Sequence, residues 1–232
     1  MTDLPPSIPR RQQNRLNRER AILDAALKIF SAQGYSGASM DAVAAEAGVT
    51  KPTLYSYFPS KESLFQAMML GKRDAMLDVF EHPSQAGMVG DLLIFAWAYA
   101  DTVMRPEMLA LARLIIGEVQ RFPEIGRAYQ ASGPDPLLRG IMRYLEGQRR
   151  AGRLDFDDAE LAAQDLWGLI LSAPRTQALY MPDLQPDRAM LQRYILNGLR
   201  VFLKAYSTTP NPDIAQLEAL QDAPFQQVKH DA

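Results

Sequence analysis

The segment Thr50-Lys51-Pro52-Thr53-Leu54-Tyr55-Ser56-Tyr57-Phe58 concentrates the groups with the most specific chemistry in this chain. Hydroxyls, an ammonium and two phenols fall within a stretch the length of a short helix, and such groups suit a polyanion. Thr50 can cap the helix, leaving free N–H groups for a backbone phosphate. Lys51 adds a cation. Pro52 fits the first turn, where its missing N–H has no partner to lose. Thr53 can bond a base edge or touch a thymine methyl. Tyr55 and Tyr57 can bond phosphate through their hydroxyls while their rings pack on sugar. Leu54 and Phe58, one helical turn apart, point the other way, to a core. Lys61 follows at the start of the next helix and can reach a flanking phosphate.

Other chemistry is thin. His82 and His230 are the only histidines and cysteine is absent, so no metal ligand set is expected. No nucleophile elbow, phosphate loop or zinc motif occurs. Asp155, Asp157, Asp158 and Glu160 suit the start of a helix better than a cation site. The expectation is a non-enzyme with no cofactor and no metal. No stretch reaches the roughly 20 apolar residues that a membrane span needs, and the N-terminus lacks an apolar signal core. A cytoplasmic location without membrane partners is expected.

The elements that must position Thr50–Phe58 are also legible. A hydrophobic fraction of 47% with 22% charged residues gives the 232-residue chain a sizeable core. Ile22, Ala25, Ala26, Ile29 and Phe30 recur at helical spacing, giving a helix of about 15–33 that Gly34 can end. Ser39 can cap a second helix, on which Met40, Val43, Ala44 and Ala47 share a face. Gly48 ends it, Thr50–Phe58 follows, and Pro59 stops that. Two short helices around a Gly-containing turn make a helix-turn-helix. Ser60 caps a longer helix to about residue 82. Beyond it, proline-punctuated helices are expected at about 85–104, 106–120, 123–132, 136–151, 157–180 and 187–206, with Pro174 kinking the fifth of these. The expected fold is all-α. The expected division is a flexible arm 1–14, a helix-turn-helix domain 15–60, a connecting helix 61–82, a regulatory domain 83–206 and a tail 207–232, in which Ile214–Leu220 could form a short helix. Residues 1–73 hold 10 Lys and Arg against 6 Asp and Glu, while the remainder is acidic. A basic face on an acidic body fits polyanion binding, and chance variation between surfaces fits equally.

Ala21-Ile22-Leu23-Asp24-Ala25-Ala26, Phe30, Gly34-Tyr35 and the run from Ala47 to Phe65 closely resemble the TetR/AcrR family of bacterial regulators. Leu111-Ala112-Arg113-Leu114, Arg121-Phe122-Pro123-Glu124-Ile125 and Gly152-Arg153-Leu154 resemble, more loosely, the AefR-type C-terminal domain. The resemblance implies a DNA-binding unit joined to a helical ligand-binding and dimerisation domain. At the positions of Ser39, Met40, Thr50, Lys51, Thr53, Tyr55, Tyr57 and Lys61 it implies proximity to DNA. Arg18 and Arg20 are further candidates for phosphate, against a solvated basic tail as the alternative.

In the regulatory half, Trp97, Tyr99, Met104, Arg113, Leu114, Glu118, Phe122, Trp167, Leu171, Arg175 and Tyr180 are candidates for a ligand pocket, against ordinary core and surface roles. Arg113 or Arg175 would pair with an anionic group. The expected function is a repressor that binds a palindromic double-stranded DNA operator as a homodimer and is released by a small-molecule effector. The last long helices, with Leu161, Leu166, Leu169, Ile195, Leu199 and Phe202, would form the dimer interface. The alternatives are a ligand-binding or protein-interaction module on the same fold, or an activator.

Overall fold

In a computed structural model, residues 10–184 and 186–220 are described. They form α1 (Arg10–Gly37), α2 (Met40–Glu46), α3 (Lys51–Tyr57), α4 (Lys61–Glu81), α5 (Gly87–Val103), α6 (Pro106–Glu118), α7 (Pro123–Ser132), α8 (Pro134–Arg150), α9 (Ala159–Tyr180), α10 (Arg188–Tyr206) and α11 (Pro210–Leu220). Among these residues the one β-type feature is an isolated bridge between Leu154 and Ser207. Local chemistry sets most boundaries. Ser39, Thr50, Ser60, Asp158 and Asp187 each accept a backbone N–H from the first turn that follows, satisfying donors that a helix start leaves orphaned. Proline opens α6, α7 and α8. Gly48 takes φ +65° between α2 and α3, a conformation that side-chain-bearing residues rarely adopt.

The helices enclose two apolar clusters. One is built by α1 to α4 around Ile22, Phe30, Leu54, Leu64 and Phe65, and it draws in Met108, Leu111 and Ile115 from α6 and Ile125 from α7. The other fills the space between α5, α8, α9 and α10 and reaches Met76 and Leu77 at the far end of α4. Long α4 thus belongs to both. No single helix among the described residues is long and apolar enough to cross a membrane.

Three expectations are corrected. The first helix begins at Arg10 rather than near residue 15. Arginine and glutamine are good helix formers, so the polar stretch extends the helix. Most of the expected arm, residues 1–9, lies outside the described residues. The tail is corrected too. Residues 210–220 form α11, with Leu217 1% exposed and Ile214 and Leu220 packed on the larger cluster. Gln216 Nε2 donates to the Ala86 carbonyl at 2.7 Å, and Arg200 pairs with Glu218 at 3.3 Å. Residues 221–232 lie outside the described residues. Finally, Leu166, Ile195, Leu199 and Phe202 are buried within the chain's own core, whereas Leu161 and Leu169 remain exposed. A buried apolar stripe on one face of each helix is satisfied by its neighbours in the same chain, and only the opposite face is left for a partner. Pro174 lies buried within α9.

Leu217→Ala is expected to destabilise the protein by about 2–5 kcal/mol, as a buried Leu truncation does. Urea unfolding measures it; a change below about 0.5 kcal/mol, the usual scale of a surface substitution, would show α11 to be an appendage.

Candidate nucleic-acid interface and regulatory cavity

α3 is divided by burial. Leu54 and Phe58 are 0% and 5% exposed and root the helix in the smaller cluster. On the outer side Thr50, Lys51, Pro52, Tyr55 and Ser56 are exposed, with Thr53 and Tyr57 half-buried. Thr50 caps the helix and its Oγ1 lies 2.8 Å from Thr53 Oγ1. One hydroxyl therefore donates to the other, and the bond holds their orientation. Lys51 pairs with Asp41 of α2 at 2.8 Å, an exposed bridge that solvent largely screens and a stronger anion can displace. The Arg15 guanidinium sits 5.9 Å from the Tyr57 ring. Arg18 and Arg20 are exposed on α1, and Ser39 is exposed while capping α2.

Two predicted residues are placed differently. Met40 is 8% exposed and belongs to the core, because it shares the inner face of α2 with Val43 and Ala44. Lys61 turns inward. Its Nζ donates to the carbonyls of Tyr35 at 2.8 Å and Ala38 at 3.2 Å and lies 4.7 Å from the centre of the Tyr35 ring. It ties α4 to the end of α1 rather than standing free for phosphate. Tyr35 stacks on Phe30 at 5.7 Å and meets Phe65 edge-on. Burial, reinforced by the neighbouring Glu62 carboxylate, pushes its phenol up to about 12.

A cavity partly open to solvent lies between α4, α5, α6, α7, α8 and α9. Of the predicted pocket residues it includes Tyr99, Trp167 and Arg175. The α4 face of Met69, Lys72, Arg73 and Met76, together with Met108 and Tyr129, was missed. The helical spacing of those α4 residues was the available signal. The other candidates lie elsewhere. Trp97 is buried on the far side of α5 beneath the Arg188 guanidinium, 4.1 Å from its ring centre. Met104 packs on the larger cluster and Leu171 is buried in it. Leu114 is half-buried on α6 and does not line the cavity. Arg113 Nη1 donates to the Ala178 carbonyl at 2.9 Å, serving the end of α9. Phe122 packs against the smaller cluster under Arg121. Tyr180 is 82% exposed.

Residues 22–68 match the model for bacterial regulatory proteins of the tetR family, and residues 90–208 match the AefR-like transcriptional repressor C-terminal domain. The chain belongs to the TetR family of transcriptional regulators. A TetR-family regulator from Mesorhizobium loti superposes with a TM-score of 0.67 at 30% identity over 83% of this chain and 98% of that one. The flavonoid-responsive regulator FrrA gives a TM-score of 0.59 at 32% identity, with the same coverages. SrpR of Pseudomonas putida is 33% identical over 57% of this chain, a match that takes in 62% of SrpR. DNA binding follows for this TetR-family regulator, and the helix-turn-helix of α2 and α3 is the element built for it.

Within this regulator, α6 joins the cavity to the DNA-binding end. Met108 near its start lines the cavity and also belongs to the smaller cluster. At its other end Glu118 accepts a hydrogen bond from Ser36 Oγ at 3.4 Å. Gly34 takes φ +73° there, and a Cβ on it would collide with Glu118 Oε1. Glu118, expected in the pocket, is thus a contact between α6 and the close of α1.

Lys61→Met is expected to lower stability by about 1–3 kcal/mol, since it strands the carbonyls that a cation now satisfies. Chemical denaturation checks this. A variant as stable as the parent would return Lys61 to the phosphate role.

Proposed function

We propose that this TetR-family regulator is a repressor that binds a near-palindromic operator as a homodimer and is released by a small molecule held in the cavity. The single observation that carries the reading is α6, whose one end lines the cavity and whose other end packs on the DNA-binding domain. A ligand that prefers one conformer of the cavity wall then biases the orientation of α3. Release of DNA by two orders of magnitude needs about 2.7 kcal/mol of such preference. The name of FrrA, a flavonoid-responsive relative, supports a small-molecule signal.

The proposed reader is residues 15–60, connected through 61–82 to a regulatory domain beginning at 83. Thr50, Tyr55 and Tyr57 set the position of α3 on the DNA backbone, with Ser39, Arg18 and Arg20 on flanking phosphates. Lys51 and Thr53, on the groove side, read bases, and Pro52 fixes the entry of the helix. For the dimer, α9 and α10 offer Leu161, Leu169, Met190 and Val201, at 57%, 36%, 36% and 42% exposed. Such apolar side chains on one surface suit a self-complementary interface. Two reading helices then enter successive major grooves about 34–36 Å apart. The site of action is the cytoplasm, where the DNA lies.

Tyr55→Ala is expected to weaken binding to all duplexes alike, and Thr53→Ala to change the preference among them. Electrophoretic mobility shifts on an operator selected from random duplexes, repeated across a salt series, test both. Parent-like behaviour in both variants, or affinity independent of salt, would remove α3 from the interface. For the dimer, Leu169→Glu is expected to produce monomers in sedimentation at micromolar concentration and to lower operator affinity at least about tenfold, or 1.4 kcal/mol. A parent protein that sediments as a monomer would sink the homodimer.

A further inference from the structure

The cavity has a charge inventory that its apolar lining conceals. Its lining includes three cations, Lys72, Arg73 and Arg175, and no carboxylate. Lys72 is matched by Asp24 of α1 at 3.6 Å, and Arg73 by its neighbour Asp74. Arg175 is different. Its Nε is the one described side-chain nitrogen or oxygen atom that is buried with no hydrogen-bond partner. A guanidinium cannot shed its proton to escape that cost, and a buried donor left unpaired bears the whole penalty of desolvation. The guanidinium lines the cavity and, among the described residues, forms no ion pair, so an acidic group held there meets an uncompensated charge.

The surrounding residues narrow what that acceptor is attached to. Met69, Met76, Val103, Met108 and Leu137 make much of the wall apolar. Trp167 meets Tyr99 edge-on, with ring centres 6.1 Å apart. Burial pushes the Tyr99 phenol up, the nearby Arg175 charge opposing it. Methionines adapt their shape to irregular or flat apolar bodies. A small inorganic anion would leave these surfaces unfilled. A cation would face the uncompensated Arg175 charge with no carboxylate in the lining to receive it. A neutral apolar molecule would leave the Arg175 guanidinium without a counter-charge.

We propose that this cavity binds an apolar organic anion, with its acidic group on Arg175 and its body between Met69, Met76, Tyr99 and Trp167. The assignment rests on the effector reading above and specifies the effector's class. Arg175 acts by direct contact, as a charge-assisted donor to a carboxylate, sulfonate or phenolate oxygen.

The test uses two probes with one aromatic body, anilinonaphthalene sulfonate and the uncharged phenylnaphthylamine, titrated by fluorescence into the full chain. The sulfonate is expected to saturate at one site per chain and to bind at least about tenfold tighter than the amine. Arg175→Gln is expected to abolish that advantage while leaving the amine's affinity unchanged. Arg175→Lys, which keeps the charge, retains part of it, and thermal melts followed by circular dichroism confirm that each variant is folded. Equal affinity for the two probes, no saturable sulfonate binding, or undiminished sulfonate affinity in folded Arg175→Gln overturns the proposal. Mobility shifts on the selected operator separate it from the reading beneath it. Sulfonate binding that depends on Arg175 yet leaves operator affinity unchanged upholds the site and defeats effector release. Release of DNA by the uncharged amine alone upholds effector release and defeats the anion assignment.

Discussion

Met108, Leu111 and Ile115 lie along one face of α6, and that face is buried with α1 and α4 in the cluster that also holds α3. This shared packing is the constraint on which the regulatory geometry depends. An apolar stripe at helical spacing must be covered, and α6 covers its stripe by completing the core of the DNA-binding end. The same helix turns Met108 toward the cavity and Glu118 toward Gly34. The proposed effector coupling rests on this shared packing, because close-packed interiors transmit strain.

The reading helix follows the same logic on a smaller scale. α3 is too short to be stable by itself, so Leu54 and Phe58 supply its stability from below. Its outer face is thereby left largely exposed, and that face carries the hydroxyls, Lys51 and the phenols. The Thr50–Thr53 pair and the Lys51–Asp41 bridge hold the face in order while leaving it displaceable. Both are weak exposed interactions, which a phosphate or base edge can replace at small cost.

Features decided within one or two turns of chain were legible in the sequence. The caps at Ser39, Thr50 and Ser60, the turn at Gly48 and the inward pair Leu54 and Phe58 all depend on near neighbours. Met40 is instructive, because resemblance placed it at the DNA whereas its spacing with Val43 and Ala44 placed it inside, and the spacing agrees with its burial. What remained hidden is set by contacts far apart in sequence. Arg113 reaches the carbonyl of Ala178, Lys61 reaches those of Tyr35 and Ala38, and Trp97 lies under Arg188. No periodicity announces which long side chain will be spent on a distant helix end. The tail shows the same limit. The spacing of Ile214, Leu217 and Leu220 suits a helix, but only the gap beside α5 and α10 gives that helix something to cover.

The economy of the small core explains why sensing and reading are joined at α6. A unit of α1, α2 and α3 falls near the size at which a single core becomes marginal. It needs apolar surface from elsewhere, and α4 and α6 provide it through Leu64, Phe65, Met108 and Ile115. Those donors also wall the cavity: α4 does so through Met69 and Met76, and α6 through Met108. Two of the helices that stabilise the DNA-binding end are thus also walls of the cavity. The proposed coupling between the two ends needs no dedicated wire on this arrangement, since it would follow from a DNA-binding domain that does not fill its own core.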